Sequence, residues 1–276
     1  MLRFLLPSLL LVARLADAAV YITTCGQTVP SFDVGVLLTD LVCPNPNTSE
    51  GCLSSPSGAP AGVTLEANAI LQMNGHSITG GCFGVRALTD SARRVVGIAG
   101  PGTISGAFYG VYFIGRLTIS YVTLDGNGGG VVSPHASANK SRLFASFVTA
   151  NNSVGPFDGS GLSAYRIEAT SVTTNGNISA GIYADTRVIA NDVTANDNGH
   201  GVYSPGRVAI DGLTATNNAV YGVGARRLRL RNSIVTGNGS GIDLWTRSRP
   251  STFAVTCDHS GSQTNPSIPW GVCAND

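Results

Sequence analysis

Residues 187–196 read RVIANDVTAN, and residues 207–216 read RVAIDGLTAT. Aligned on Thr194, one column holds Thr123, Thr149, Thr173, Thr194, Thr214 and Thr236, recurring every 20 to 26 residues. One position earlier stand Val122, Val148, Val172, Val193, Leu213 and Val235. Six earlier stand Leu117, Leu143, Ile167, Val188, Val208 and Leu230, and four earlier Ile119, Ala145, Ala169, Ala190, Ile210 and Asn232. Seven earlier, every row carries arginine: Arg116, Arg142, Arg166, Arg187, Arg207 and Arg229. Two later the column is Asp125, Asn151, Asn175, Asn196, Thr216 and Asn238, which is turn chemistry.

A row of this length fits leucine-rich, ankyrin, TPR or β-helix repeats. The row has no useful 3.6-residue stripe and lacks the leucine-rich positions. It has short β-branched runs of period two, broken by Gly, Asn and Asp. These features predict three short strands per turn, each paired in parallel with its counterpart in the next turn. The result is a β-solenoid whose turns advance about 4.8 Å. Aliphatic columns six, four and one before the threonine point inward. The arginine column then points outward, with a bend absorbing the change of phase. About eight or nine turns are expected between residues 62 and 256.

The chain has 276 residues, 17 basic and 16 acidic groups, and only 12% charged residues. At its head, Arg3 precedes an apolar run over residues 4–12. Ala16-Asp17-Ala18 forms a small-x-small site, so residues 1–18 read as a signal peptide. The run is too short to span a bilayer. The expectation is export: a secreted, periplasmic or cell-surface protein with no membrane insertion after signal removal. Six cysteines, Cys25, Cys43, Cys52, Cys82, Cys257 and Cys273, favour disulfides in that setting. Fifteen connectivities are open to six cysteines. Local pairing is expected, with Cys257–Cys273 the firmest. Residues 19–61 and 257–276 read as capping segments that cover open strand edges.

The row GIYADTRVIANDVTANDNG resembles the right-handed parallel β-helix repeat of pectin-lyase-like proteins, over roughly residues 62–256. The resemblance implies an all-β, single-stranded right-handed parallel β-helix with disulfide-bonded ends. Lyases, polygalacturonase-type hydrolases and uronan epimerases share that fold, so it is nearly silent on chemistry. It implies a carbohydrate-associated protein, with a lyase-like enzyme acting on a uronic-acid glycan as one reading. A non-catalytic structural, adhesion or glycan-binding solenoid is the alternative.

Two readings of the arginine ladder stay open. Its stems can clothe apolar surface, or the guanidinium groups of Arg116, Arg166, Arg187 and Arg207 can bind an acidic polysaccharide. The near-zero net charge speaks against nucleic acid. The longest break in the repeat is SPHASANKSR at 133–142, which contains His135 and the chain's lone lysine, Lys140. A second expansion, NNSVGPFDGSG, follows at 151–161 and contains Asp158. On the lyase template the resemblance implies Lys140 as base, Arg142 and Arg166 as carboxylate clamp and His135 as acid. Gly199-His200-Gly201 matches one polygalacturonase element. However, no adjacent Asp pair and no R-x-K accompany it. No cofactor motif is present, and any Ca2+ site would be assembled from separate turns. The chain is expected to be a monomer.

Overall fold

The computed structural model describes residues 19–45, 52, 59–89, 94–134, 140–155, 159–239, 241–263 and 269–276. The signal-like segment 1–18, His135 and Asp158 lie outside them. The strands are β1 (Val20–Ile22), β2 (Gln27–Val29), β3 (Val34–Leu37), β4 (Leu41–Cys43), β5 (Ala61–Leu65), β6 (Ile70–Gln72), β7 (Ser77–Gly80), β8 (Phe83–Leu88), β9 (Val95–Ser105) and β10 (Tyr109–Ile114). They continue with β11 (Arg116–Asp125), β12 (Gly129–Val132), β13 (Arg142–Asn151), β14 (Leu162–Thr173), β15 (Ala180–Thr194), β16 (His200–Thr216), β17 (Tyr221–Thr236), β18 (Ile242–Thr246), β19 (Ser251–Cys257) and β20 (Ser260–Ser262).

Every described pairing is parallel and joins a strand to its counterpart one turn away. The fold is a parallel β-helix. Its turns are parallel crossovers, for which the right-handed sense is the rule. From β5 to β19 the chain completes nine turns. The pairing also extends upstream, because β2, β3 and β4 register on β5, β6 and β7.

Three faces surround the core. Face one contains β5, β8, β10, β12 and the starts of β14 to β17, then β18. Its inward column runs Val63, Val85, Val111, Val131, Leu162, Ile182, Val202, Val223 and Leu244, all fully buried. Face two stacks Leu117, Leu143, Ile167, Val188, Val208 and Leu228. Face three stacks Val122, Val148, Val172, Val193 and Leu213.

The bend between faces two and three is a column of left-handed residues: Tyr121, Phe147, Ser171, Asp192, Gly212, Asn232 and Ala254. One residue per turn with positive φ reverses the inward and outward alternation, as the phase change requires. Tyr121 and Phe147 are unusual occupants of that region. Their rings stack at 4.7 Å.

The corner from face three to face one holds a buried asparagine ladder. Asn177, Asn198, Asn218 and Asn238 lie one above another. Each passes its backbone N–H and its Nδ2 to the Oδ1 of the next, at 2.9 to 3.2 Å. The ladder ends on the carboxylate of Asp243, which accepts Asn238 Nδ2 at 2.7 Å and the Asp258 N–H at 2.6 Å. These bonds satisfy polar groups that would otherwise be stranded in the core. The row glycines lie against this ladder. A Cβ on Gly201 would stand 2.4 Å from the Gly222 oxygen and 2.9 Å from Asn218 Nδ2. Outside it, a second ladder links Asn151, Asn175, Asn196 and Thr216 through side-chain oxygens and backbone N–H groups. That is the turn role expected of this column.

The last row of the sequence alignment needs correction. Arg227, not Arg229, continues the arginine column, because it pairs with Arg207. Ile234 stands opposite Thr214, and Thr236 opposite Thr216. Two anchors set this register: Asn232 occupies the left-handed corner, and Asn238 extends the buried ladder. The disulfides are local, Cys25–Cys43, Cys52–Cys82 and Cys257–Cys273, as expected.

Candidate functional site

The arginine ladder is in register: Arg116, Arg142, Arg166, Arg187, Arg207 and Arg227 lie opposite one another on face two. Its members differ in exposure. Arg116, Arg142, Arg166 and Arg187 are half-buried, and the Nε atoms of Arg116, Arg166 and Arg187 are hidden without a described partner. Arg207 and Arg227 are exposed. The first four therefore lie down over the sheet, as snorkelling stems do, while the last two project.

The two sequence insertions flank one strand. The first leaves β12 at the corner between faces one and two. The second follows β13 at the corner between faces three and one, where Ser153 replaces asparagine in the buried ladder. The chain re-enters regular structure at Ser141, which is buried. Its hydroxyl accepts the Tyr165 N–H at 3.1 Å, and its carbonyl accepts the Arg166 N–H at 3.1 Å. Lys140 is exposed immediately before it. Arg142 and Arg166 are direct cross-strand neighbours. The face-one residues between the insertions, Val132 and Ser163, are buried.

Face one carries the larger chemical feature. Its outward column runs Thr64, Arg86, Tyr112, Val132, Ser163, Tyr183, Tyr203, Gly224 and Trp245. At the N-terminal end, Phe83, Tyr109 and Tyr112 pack with Cys52 and Cys82 into a buried cluster. Burial raises the Tyr112 phenol above its ordinary range and lowers the Arg86 guanidinium.

Beyond Ser163 the rings are half-exposed and continuous. Tyr183 meets Tyr203 at 5.8 Å, Tyr203 meets His200 at 5.5 Å, His200 meets Tyr221 at 5.0 Å, and Tyr221 meets Trp245 at 4.5 Å. Four successive turns contribute, so the strip extends about 14 Å along the axis. Gly224 interrupts the column and makes room for it: a Cβ there would stand 2.7 Å from Tyr203 Cδ2 and 3.5 Å from Tyr221 Cδ2. Burial lowers the His200 pKa, and its Nδ1 is hidden without a described partner. His200 is therefore a neutral ring at pH 7. Burial, with help from Tyr203, raises the Tyr221 phenol. The strip is uncharged and amphipathic, with its rings stacked on one another along the axis.

The tyrosines were visible in the sequence, since Tyr112, Tyr183 and Tyr203 share the second position after the row glycine. Tyr221, His200 and Trp245 were not assigned to a strip. Tyr221 and His200 stand in the neighbouring column, and Gly224 breaks the run before Trp245. Among the described residues no group of three or more His, Cys, Asp or Glu could hold a metal ion. Among them, too, no helix is long and apolar enough to cross a membrane.

The chain is thus a parallel β-helix with a half-exposed aromatic strip on one face and an arginine ladder on the next. No family model matches it, and no curated protein matches its sequence. Solved structures resemble it. The Dettilon tailspike protein aligns with 12% identity and a TM-score of 0.49, covering 88% of this chain and 54% of its own. This chain therefore spans about half the length of that protein. The A-module of the mannuronan C-5 epimerase AlgE4 of Azotobacter vinelandii aligns with 13% identity and a TM-score of 0.42, covering 92% of this chain and 76% of that one. The A-module of AlgE6 from the same organism aligns with 12% identity and a TM-score of 0.39, covering 92% and 75%.

Proposed function

We propose that the protein is an exported carbohydrate-binding β-helix that seats an extended glycan along face one. The observation that carries this reading is the half-exposed run of rings from Tyr183 through Tyr203, His200 and Tyr221 to Trp245. A pyranose presents an apolar face of C–H groups to such a surface, and its burial is favourable. These rings stack against one another at 4.5 to 5.8 Å, so successive turns form one unbroken apolar strip. They do not offer the separated slots between which nucleobases stack. Each of two turns also supplies an arginine four residues after its tyrosine: Arg187 after Tyr183 and Arg207 after Tyr203. Guanidinium groups at that corner suit the carboxylates of a uronic-acid polymer. Titration of the mature protein with polygalacturonate and alginate tests the proposal. Binding lost on Trp245→Ala supports it, and binding by neither polymer refutes it.

A second reading is favoured by the Arg142–Arg166 pair beside exposed Lys140. In a β-elimination, Lys140 would remove the proton α to a uronate carboxylate clamped by the two arginines. The glycosidic C–O bond then breaks as a C=C bond forms, and His135 would protonate the departing oxygen. The test is incubation with alginate, pectate and glucuronan, with and without Ca2+, monitored for unsaturated products. Absence of product on all three would remove the lyase reading and leave the binding reading intact.

A further inference from the structure

Charge is segregated along the coil. Residues 207–249 hold seven arginines, Arg207, Arg226, Arg227, Arg229, Arg231, Arg247 and Arg249, against two aspartates. The rest of the chain has ten basic and fourteen acidic residues. All seven arginines are exposed, and none has a side-chain partner among the described residues. Neither aspartate forms an ion pair with them among the described residues. Asp243 is 2% exposed and ends the asparagine ladder, while Asp211, opposite Arg231 in register, accepts Asn232 Nδ2 at 2.7 Å and offsets one of the seven charges.

The arrangement is a grid. On β17, Arg227, Arg229 and Arg231 alternate with buried Leu228 and Leu230, so their side chains leave the same face about 6.7 Å apart. Arg207 stands one turn above Arg227, about 4.8 Å away along the axis. Arg226 and Arg247 lie at the neighbouring corner, where the Arg247 N–H meets the Ala225 oxygen. Unneutralised like charges at these spacings repel one another, and an anionic ligand would relieve that repulsion. A polymer with one carboxylate per sugar meets such a grid one arginine at a time. A polymer with several strong anions per disaccharide can engage both of its directions.

We infer that this C-terminal patch of face two is a docking surface for a sulfated polysaccharide, sharing only Arg207 with the corner beside the aromatic strip. It engages the sulfates through exposed guanidinium forks. The experiment is calorimetric titration of the whole mature protein with dextran sulfate, polygalacturonate and neutral dextran across a range of salt. Dextran sulfate is expected to bind tightest and to weaken steeply as salt rises, as multi-contact charge neutralisation requires. The triple variant Arg226→Gln, Arg229→Gln, Arg231→Gln should lose about tenfold or more of that affinity and flatten the salt slope. Arg229→Gln alone should lose more than Arg94→Gln, made at the other end of the coil, which should lose less than about twofold. Unchanged circular dichroism and melting would establish that the variants fold. Equal losses in Arg229→Gln and Arg94→Gln would overturn the placement. Polygalacturonate binding to Trp245→Ala, in which the strip is removed, as tight as its dextran sulfate binding would overturn the ligand class. So would tighter binding to a single-stranded oligonucleotide or to phosphatidylserine vesicles. Loss of the aromatic strip through Trp245→Ala should leave dextran sulfate binding in place, so the two sites fail separately.

Discussion

Asn198 gives both its backbone N–H and its side-chain Nδ2 to one oxygen, Oδ1 of Asn218, at 3.0 and 3.2 Å. Its own Oδ1 receives the same two groups from Asn177, and its Nδ2 also reaches the Thr174 oxygen at 2.8 Å. Asn198→Ala would leave the Asn177 N–H and the Thr174 carbonyl without these partners in a buried corner. The expected cost is about 2–4 kcal/mol. Arg166→Gln, which removes no described hydrogen bond, should stay within about 1 kcal/mol. Urea unfolding of the two variants makes the comparison.

Gly224→Ala separates packing of the strip from stability of the coil. The added methyl would stand 2.7 Å from Tyr203 Cδ2, so the Tyr203 ring must shift from its place against Tyr183 and His200. The expected loss of stability is about 1 kcal/mol, whereas the stacked strip is interrupted. Glycan affinity should therefore fall with little change in melting temperature. Gly201→Ala should do the reverse, because its Cβ meets backbone and the buried ladder.

The acid limb of stability should carry a contribution from His200. Its folded pKa lies below the ordinary 6.5 because burial disfavours the imidazolium, and the neutral rings of Tyr203 and Tyr221 flank it. The unfolded chain therefore binds the proton first. Stability is unaffected above about pH 7 and falls as pH drops through about 6.5, levelling once the folded state also protonates. His200→Gln should flatten that decline between pH 7 and 5. Asp276 acts lower. Burial raises its pKa, but hydrogen bonds from Ser260, Cys273 and Val272 outweigh this and lower it overall. Its contribution is present above about pH 3.8 and is lost as pH falls through the lower folded value.

The C-terminal end is held by Cys257–Cys273, which closes a separation of 16 residues. Cys257→Ser with Cys273→Ser should cost about 3 kcal/mol. Hydrogen exchange should quicken first in β19 and β20, if residues 257–276 cap the coil.

The aliphatic columns carried the fold in the sequence because stacked turns demand one residue class per position. The bend was legible as a phase change; its left-handed residues were not, since the column opens with the rings of Tyr121 and Phe147. The register of β17 was not. Its alternating arginines, Arg227, Arg229 and Arg231, look equivalent to an alignment anchored on threonine. The deciding anchors, Asn232 and Asn238, act through backbone conformation and buried hydrogen bonds. The strip was half-legible for a similar reason. Gly224 vacates the column between Tyr203 and Trp245, and the Tyr221 ring from the same turn stands beside that gap and meets Trp245.

The most direct test of the account is the affinity of the mature protein for polygalacturonate or alginate, compared with that of Trp245→Ala and Tyr203→Ala. The account predicts measurable binding by the parent and a loss of about tenfold in each variant, with folding intact. Binding by the parent that both variants retain at full strength would contradict it.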